Sequence, residues 1–196
     1  MADENDNGIR IVLLGETGGG KTNLINAYFD LGFNINSSST VSAESCEGLV
    51  EINEKKFSIC IWDTAGQEKY RSITKIFIKG AKIVIFVYDI TEEDSFKNLD
   101  YWVKSVEEVL GKDIILGVVG NKMDLFYNQK IKTEEGKKYA DEIGALFCET
   151  SAKEDQEGFK KFVKQLVEKY LQEKNILNDE ISIKLKKTTH RRKCCK

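Results

Sequence analysis

An eight-residue segment near the start of this 196-residue chain constrains its fold more than any other feature. Residues Gly15 to Thr22 read Gly-Glu-Thr-Gly-Gly-Gly-Lys-Thr, and a short apolar run, Ile9–Leu14, comes directly before them. The apolar run is typical of a buried strand, and residues 21–30 are predicted to form a helix. A strand joined to a helix by a glycine-rich turn indicates an α/β sheet.

Strand and helix patterns keep alternating after this first unit. The predicted strands occupy residues 47–53, 56–62, 82–88, 114–120 and 145–149. The first two of these form a hairpin that turns at residues 53–55. The predicted helices occupy residues 94–110, 133–143 and 155–172, and the polar residues 34–45 are predicted to form a loop. This alternation predicts a parallel sheet covered by helices on both faces.

The glycine-rich segment matches the pattern G-x-x-x-x-G-K-[ST] of phosphate-binding loops. Glycines let backbone N–H groups turn toward phosphate oxygens, at a helix N-terminus that already favours anions. Lys21 would reach the β- and γ-phosphates of a nucleotide, and the Thr22 hydroxyl would bind Mg²⁺. The alternative is a flexible loop that matches by chance, for which average glycine usage gives a frequency of about 1%.

A second motif, Asp63-Thr-Ala-Gly66-Gln67, follows the predicted strand 56–62. An aspartate there can hold magnesium, usually through water, and the Gly66 amide can contact a γ-phosphate. By itself the Asp-x-x-Gly pattern is only a turn signal. Behind a phosphate-binding loop it indicates a second part of the same site.

A third motif, Asn121-Lys-Met-Asp124, follows the predicted strand 114–120, and Thr150-Ser-Ala-Lys153 follows the next strand. The Asp124 carboxylate can accept hydrogen bonds from guanine N1–H and the N2 amino group. Adenine lacks both donors, and such a missing bond discriminates by roughly 10⁴–10⁵. The alternative is an ordinary polar loop. Ligands of such sheets bind at the carboxyl ends of strands, so the four motifs are predicted to meet at one guanine nucleotide.

These four motifs, in this order, resemble those of the Ras superfamily of small GTPases over residues 9–172. Residues 62–68, 70–74 and 86–91 and the terminal Cys-Cys-Lys are most similar to the Rab family. The resemblance implies a P-loop NTPase G domain of the α/β class. Its expected sheet is mostly parallel and six-stranded, with one antiparallel edge strand and helices on both faces. The implied ligands are GTP or GDP and Mg²⁺.

The resemblance also implies a role for individual residues. Gln67 would orient the attacking water, Phe33 would pack on the guanine unless it is simply a core residue, and Gly66 would bond the γ-phosphate. Thr22, Thr40 and Asp63 are the expected metal ligands, and Gln67 and Lys21 the expected catalytic residues. The expected nucleotide-binding residues are Gly15, Thr17, Gly18, Gly19, Gly20, Lys21, Thr22, Asn23, Phe33, Thr40, Asp63, Gly66, Asn121, Lys122, Asp124, Ser151, Ala152 and Lys153.

The segment around Thr40 departs from the Rab pattern. Ser42 replaces a glycine, Ser45 replaces an aromatic residue that belongs to an effector-contacting cluster with Trp62, and residues 37–39 are all serine. We expect these changes to affect the choice of effector more than nucleotide binding. Effectors are expected to contact residues 34–45 and 63–78, the two switch segments.

Charge is distributed unevenly along the chain. Seven Lys or Arg and no Asp or Glu occur in residues 184–196, so the net charge of −2 leaves −9 on residues 1–183. The resemblance implies that Cys194 and Cys195 carry lipids, and a basic segment beside them would strengthen attachment to an anionic membrane. The alternative is a solvated charge run with two spare thiols.

Taken together, these features predict a flexible N-terminus over residues 1–8, a GTP-binding domain over 9–174 and a flexible basic tail over 175–196. The implied function is a Rab-like switch in membrane trafficking that hydrolyses GTP slowly. The implied partners are an exchange factor, a GTPase-activating protein, effectors, a prenylation escort and a GDP-dissociation inhibitor. We expect a monomer on the cytoplasmic face of an intracellular membrane, cycling with the cytosol, and no nucleic-acid binding.

Two other functions compete with this one. The first is a membrane scaffold that holds GTP with little or no hydrolysis, for which the unusual first switch segment leaves room. Gln67 argues against it, because that glutamine has a plausible part in hydrolysis. The second is a phosphate-loop ATPase or small-molecule kinase, which the guanine-specific motif at Asp124 disfavours.

Overall fold

A computed structural model describes residues 8–34, 44–64, 76–111 and 113–176. In chain order the elements are β1 (Ile9–Leu14), α1 (Lys21–Tyr28), β2 (Glu44–Ile52), β3 (Lys55–Asp63), β4 (Ile83–Asp89), α2 (Glu93–Lys97), α3 (Leu99–Leu110), β5 (Ile115–Asn121), a 3₁₀ helix (Met123–Asn128), α4 (Thr133–Glu142), β6 (Leu146–Glu149) and α5 (Gln156–Glu173). All predicted strands are therefore present, with small shifts at their ends. The helices predicted at residues 133–143 and 155–172 are present as α4 and α5, and the helix predicted at 94–110 corresponds to α2 and α3.

The six strands form one sheet in the order β2-β3-β1-β4-β5-β6. β2 lies at one edge and pairs antiparallel with β3, whereas the other four pairings are parallel. All seven residues of β4 are buried, as is usual for a central parallel strand. The predicted fold class is confirmed.

Side chains alternate between the two faces of the sheet because successive residues of a strand point in opposite directions. Ile11 and Leu13 of β1 join a core cluster with residues of α1 and α5, such as Leu24 and Phe159. The intervening Val12 joins a second cluster that residues of α3 and α4 complete. The helices thus bury both faces of the sheet.

Three predicted elements differ from the structure in detail, each for a local reason. α1 ends at Tyr28 rather than at residue 30, and Asp30 has a left-handed φ of 57°. The hairpin turns on Asn53 and Glu54, both with positive φ, as two-residue hairpins of the type I′ class require. The predicted helix 94–110 is divided at Asn98 into α2 and α3, and asparagine is a poor residue for a helix interior.

The predicted loop 34–45 also ends earlier than expected, because β2 begins at Glu44 and includes Ser45. Residues 35–43 lie outside the described part of the chain. In the described residues, no helix is both long and apolar enough to cross a membrane.

Parallel pairing places the carboxyl ends of five strands at one edge. β1, β3, β4, β5 and β6 run in the same direction. The four sequence motifs lie at the ends of β1, β3, β5 and β6, and this edge is where ligands of such sheets bind.

Candidate functional site

The loop between β1 and α1 needs glycine at two positions. Gly15 has a φ of 146°, and a Cβ atom there would overlap the Val87 carbonyl oxygen on β4. Gly20 has a φ of 90°, and a Cβ atom there would overlap the side-chain amide of Asn121. Glycine alone tolerates both the backbone angles and the close approach. The loop is therefore packed closely against β4 and the side chain of Asn121.

Lys21, the first residue of α1, bends its side chain back over this loop. Its Nζ donates to the carbonyl oxygens of Gly15 at 2.8 Å and Glu16 at 2.9 Å. Only 6% of the residue is exposed, and burial lowers its pKa to about 8, although the charges of Asp63 and Glu16 oppose that shift. An ammonium has three N–H donors, so a cation with one further donor lies where phosphate oxygens would bind.

Thr22 and Asp63 meet across the site. The Thr22 hydroxyl donates to Asp63 Oδ2 at 2.6 Å, and Asp63 is 7% exposed at the end of β3. The next residue, Thr64, donates its hydroxyl to the Leu13 carbonyl at 2.6 Å, which fixes the end of β3 against β1. A hydroxyl and a carboxylate oxygen side by side are the ligand types that Mg²⁺ prefers, so this pair fits the predicted metal position.

Asn121 joins the phosphate-binding loop to the segment after β6. Its side-chain Nδ2 donates to the Gly19 carbonyl at 2.9 Å, and its Oδ1 accepts from the Ala152 backbone N–H at 3.2 Å. The residue is 1% exposed. One buried amide therefore fixes the distance between the segment expected to bind phosphates and the segment expected to bind a base.

Asp124 is held in place by Ser151. The Ser151 hydroxyl donates to Asp124 Oδ1 at 2.6 Å and itself accepts the backbone N–H groups of Lys153 at 3.2 Å and Glu154 at 3.1 Å. The Lys153 ammonium lies 3.9 Å from Asp124 Oδ2, and 9% of the Asp124 side chain is exposed. These contacts fix the orientation of the Asp124 carboxylate.

The ammonium of Lys122 pairs with a different carboxylate, that of Asp89. Its Nζ lies 2.5 Å from Oδ2 of Asp89, which ends β4 and is 4% exposed. The other oxygen of Asp89 accepts the backbone N–H of Thr91 at 2.8 Å and the Thr91 hydroxyl at 2.7 Å. Sequence reasoning gave Asp89 no role. Its place at the carboxyl end of the strand next to β5 is the signal that could have identified it.

Asn23 on α1 holds the start of the segment that leads toward Thr40. Its Nδ2 donates to the Asn34 carbonyl at 3.1 Å, and its Oδ1 accepts the Asn34 N–H at 3.1 Å. The adjacent Phe33 is 41% exposed. The two hydrogen bonds fix the backbone beside Phe33. The stacking of the Phe33 ring on a base stays a prediction.

Similar proteins identify the family. A family model described as the Ras family matches residues 10–172. Ras-related protein Rab-2B of Dictyostelium discoideum is 37% identical over 174 residues, which cover 87% of this chain and 86% of that protein. GTP-binding protein ypt3 of Schizosaccharomyces pombe is 41% identical over 150 residues (76% and 70%), and Ras-related protein Rab11B of Nicotiana tabacum is 36% identical over 168 residues (86% and 77%).

The chain belongs to the Rab family of the Ras superfamily. It is therefore a small GTPase that binds guanine nucleotide and acts in vesicle trafficking, with regulators and effectors as partners. This agrees with the sequence-based prediction of family and activity.

The described part of this Rab-family protein brings most of the predicted site residues to one edge of the sheet. Gly19 is buried, Ala152 is 4% exposed, and Gly18 and Thr17 lie at the exposed tip of the loop. Five predicted site residues lie outside the described residues, and their roles stay predictions: Thr40, Gly66, Gln67, Cys194 and Cys195.

Proposed function

We propose that this GTPase binds GTP and GDP together with Mg²⁺ in the cleft at the carboxyl ends of its parallel strands. The observation that carries the proposal is the buried Asn121 amide, which joins Gly19 on one side to Ala152 on the other. Phosphate and base subsites held by one side chain match a ligand that carries both groups. The residues on each side have the chemistry that such a ligand needs.

On the phosphate side, the chain supplies charge and backbone donors. The third N–H of Lys21 would donate to a phosphate oxygen, and the N-terminus of α1 would face the same anion. Thr22 and Asp63 would hold Mg²⁺, with Thr40 as a further ligand. When bound, the metal would supply positive charge that neutralises the phosphate oxygens.

On the base side, Asp124 would accept the N1–H and N2 amino hydrogens of guanine. Ser151 already positions its Oδ1, and the Lys153 ammonium lies near its Oδ2. Lys122 and Phe33 would lie along the two sides of the ring, and Ser151, Ala152 and Lys153 would border its edge. Bound adenine would offer this carboxylate no matching donors, so we propose strong selection against ATP.

Hydrolysis would proceed by in-line attack of water on the γ-phosphorus, breaking its bond to the β–γ bridging oxygen and releasing GDP and phosphate. Gln67 is proposed to orient the water and Gly66 to bond the γ-phosphate. Arg10, one of the few arginines, lies over the Trp62 ring at 4.1 Å. No arginine of the sequence, Arg10 included, is an obvious internal arginine finger, so we propose slow intrinsic turnover and acceleration by an activating protein.

The switch itself is proposed to reside in residues 34–45 and 63–78, ordered by γ-phosphate contacts and released after hydrolysis. Effectors would contact these segments, and an exchange factor would restore GTP. A prenylation escort and a GDP-dissociation inhibitor would handle lipids on Cys194 and Cys195, which would attach the chain to the cytoplasmic face of a membrane. In this proposal residues 9–174 form the GTP-binding domain, with residues 1–8 and 175–196 outside it.

Nucleotide competition tests the binding proposal. Protein loaded with a fluorescent GDP analogue should release it to unlabelled GDP or GTP but not to ATP at the same concentration. Chelation of Mg²⁺ should speed the release, because Thr22 and Asp63 would lose the cation they share. Equal displacement by ATP would contradict the assignment of guanine specificity to Asp124.

Gln67→Leu tests the hydrolysis proposal. We expect the variant to bind GTP normally but to hydrolyse it at least about tenfold more slowly in a single turnover, since a positioned polar group is lost. Gln172→Leu on α5 is the control, because that glutamine is exposed and lies outside the site. Unchanged hydrolysis in Gln67→Leu would remove Gln67 from the mechanism.

A further inference from the structure

The buried carboxylate of Asp89 divides its two oxygens between two tasks. Oδ1 accepts both the backbone N–H and the hydroxyl of Thr91, which closes the turn after β4. Oδ2 lies 2.5 Å from the Lys122 ammonium. Because 4% of Asp89 is exposed, little water can replace Lys122 as the partner of this charge.

Lys122 is constrained at both ends of its side chain. Its backbone has a left-handed φ of 68°, which is uncommon for a residue other than glycine and persists where the surroundings enforce it. The preceding Asn121 is buried, and its carbonyl accepts the Ile90 N–H at 3.2 Å. At the far end, the ammonium is tied to Asp89. The four-carbon stem between these anchors therefore has few conformations left.

We propose that Asp89 is a positioning residue for the guanine base. By holding the Lys122 ammonium, it keeps the apolar stem of Lys122 extended as a surface along which the base lies. This inference rests on the proposed function, because it assumes that a guanine nucleotide occupies the cleft. Asp89 itself would not touch the ligand. Its loss would let the Lys122 side chain rotate away and would speed nucleotide release.

Asp89→Asn separates the two tasks of this side chain. The amide oxygen of the variant can still accept from Thr91, so the turn should persist, while the ion pair with Lys122 is lost. We expect GDP to dissociate about tenfold faster. The hydrolysis rate of GTP that is already bound should not change, because Asp89 lies on the base side of the site.

A double-mutant cycle with Lys122→Met tests whether Asp89 affects GDP release through Lys122 or only through the stability of the fold. If Asp89 acts through Lys122, each single variant should release GDP about tenfold faster and the double variant also about tenfold faster, rather than a hundredfold. Additive effects would overturn the proposal. So would an unchanged release rate in Asp89→Asn.

Two further variants protect the test. Glu93→Gln removes an exposed ion pair with Lys97 on neighbouring α2, 2.8 Å long, and should leave GDP release unchanged.

If Asp89→Asn does not fold, Lys122→Arg tests the same ion pair by changing its cation instead of its carboxylate. It keeps a cation for Asp89 and should release GDP more slowly than Lys122→Met; equal release would overturn the proposal. A wild-type chain that fails to bind GDP would instead contradict the proposed function.

Discussion

The cleft has a phosphate half, formed by residues 15–22 and 63, and a base half, formed by residues 89, 121–124 and 151–153. The two halves are built in different ways. In the phosphate half, backbone dominates: glycines shape the loop, and Lys21 donates to two of its carbonyls. In the base half, side chains pair with side chains, as in Ser151 with Asp124 and Lys122 with Asp89. Asn121 is the side chain that connects the two halves.

The difference follows from what each half must recognise. Phosphate groups are alike in all nucleotides, so a loop of N–H groups and one cation suffices, and it selects charge rather than identity. A base is distinguished by its donors and acceptors, so a carboxylate must be fixed in one orientation. Side chains that hold the carboxylate without touching the base provide that rigidity. Variants in the two halves should therefore affect binding in different ways.

The largest effect is expected from Asp124→Asn, which alters only the base half. Guanine would lose charge-assisted hydrogen bonds worth about 1.5–3 kcal/mol each, so GDP affinity should fall by roughly a thousandfold. Xanthine, which has a carbonyl in place of the guanine amino group, should gain affinity, because the new amide can donate to it. Titration calorimetry with GDP and XDP measures both effects.

Glu154→Gln is the matched control for Asp124→Asn. This acidic residue lies on the neighbouring segment, pairs with Lys153 at 3.4 Å and is exposed. Its GDP affinity should equal that of the wild type. A loss of less than tenfold in Asp124→Asn would show that the base half does not recognise guanine through this carboxylate.

An intermediate effect is expected from Asn121→Ala, which breaks the connection between the halves. The Gly19 carbonyl and the Ala152 N–H would lose their partner in a buried place, at about 1–3 kcal/mol each. We expect GDP affinity to fall by about a hundredfold, measured from dissociation and association rates. Gln129→Ala removes a similar amide contact, to the Ile131 carbonyl at 2.8 Å, and should leave GDP affinity unchanged.

The smallest effect is a pH dependence in the phosphate half. Burial lowers the pKa of Lys21 to about 8, and a bound phosphate would favour its charged form. GDP affinity should therefore be constant below pH 8 and should fall by up to about tenfold per pH unit above it. Fluorescence titrations between pH 7 and 9 test this.

Lys21→Arg is the control, since arginine keeps its charge throughout this range. The ratio of wild-type to variant affinity cancels the titration of the nucleotide itself. A ratio that does not change between pH 7 and 9 would show that Lys21 stays protonated over this range. The phosphate half would then add no pH dependence of its own to GDP affinity.

Most of the fold could be predicted from the sequence because hydrophobic periodicity records burial. β4 is apolar except for its last residue, Asp89, and is buried throughout. Element ends were less predictable, since they depend on single backbone conformations such as the left-handed Asp30 and the division at Asn98. These positions follow from local geometry rather than from a repeating pattern.

The site divides in the same way. Motif residues with a fixed spacing, such as Lys21, Thr22, Asp63 and Asp124, could be proposed as site residues from sequence because each motif encodes its own local geometry. The pairing of Asp89 with Lys122 could not be proposed, because the two residues are thirty-three positions apart and lie at the ends of two different strands. The contact of Asn121 with Gly19 spans 102 positions and was likewise invisible.

The sequence by itself determined which residue types are available for the proposed recognition of phosphate and guanine, since residue types and short spacings define the loop at Gly15–Thr22 and the motif at Asn121–Asp124. Only the tertiary structure decided how the recognising groups are held. The parallel pairing of β1, β4 and β5 brings their carboxyl ends together. Hydrogen bonds and ion pairs can then form between residues that are distant in the chain, because they act over about 3 Å whatever the sequence separation.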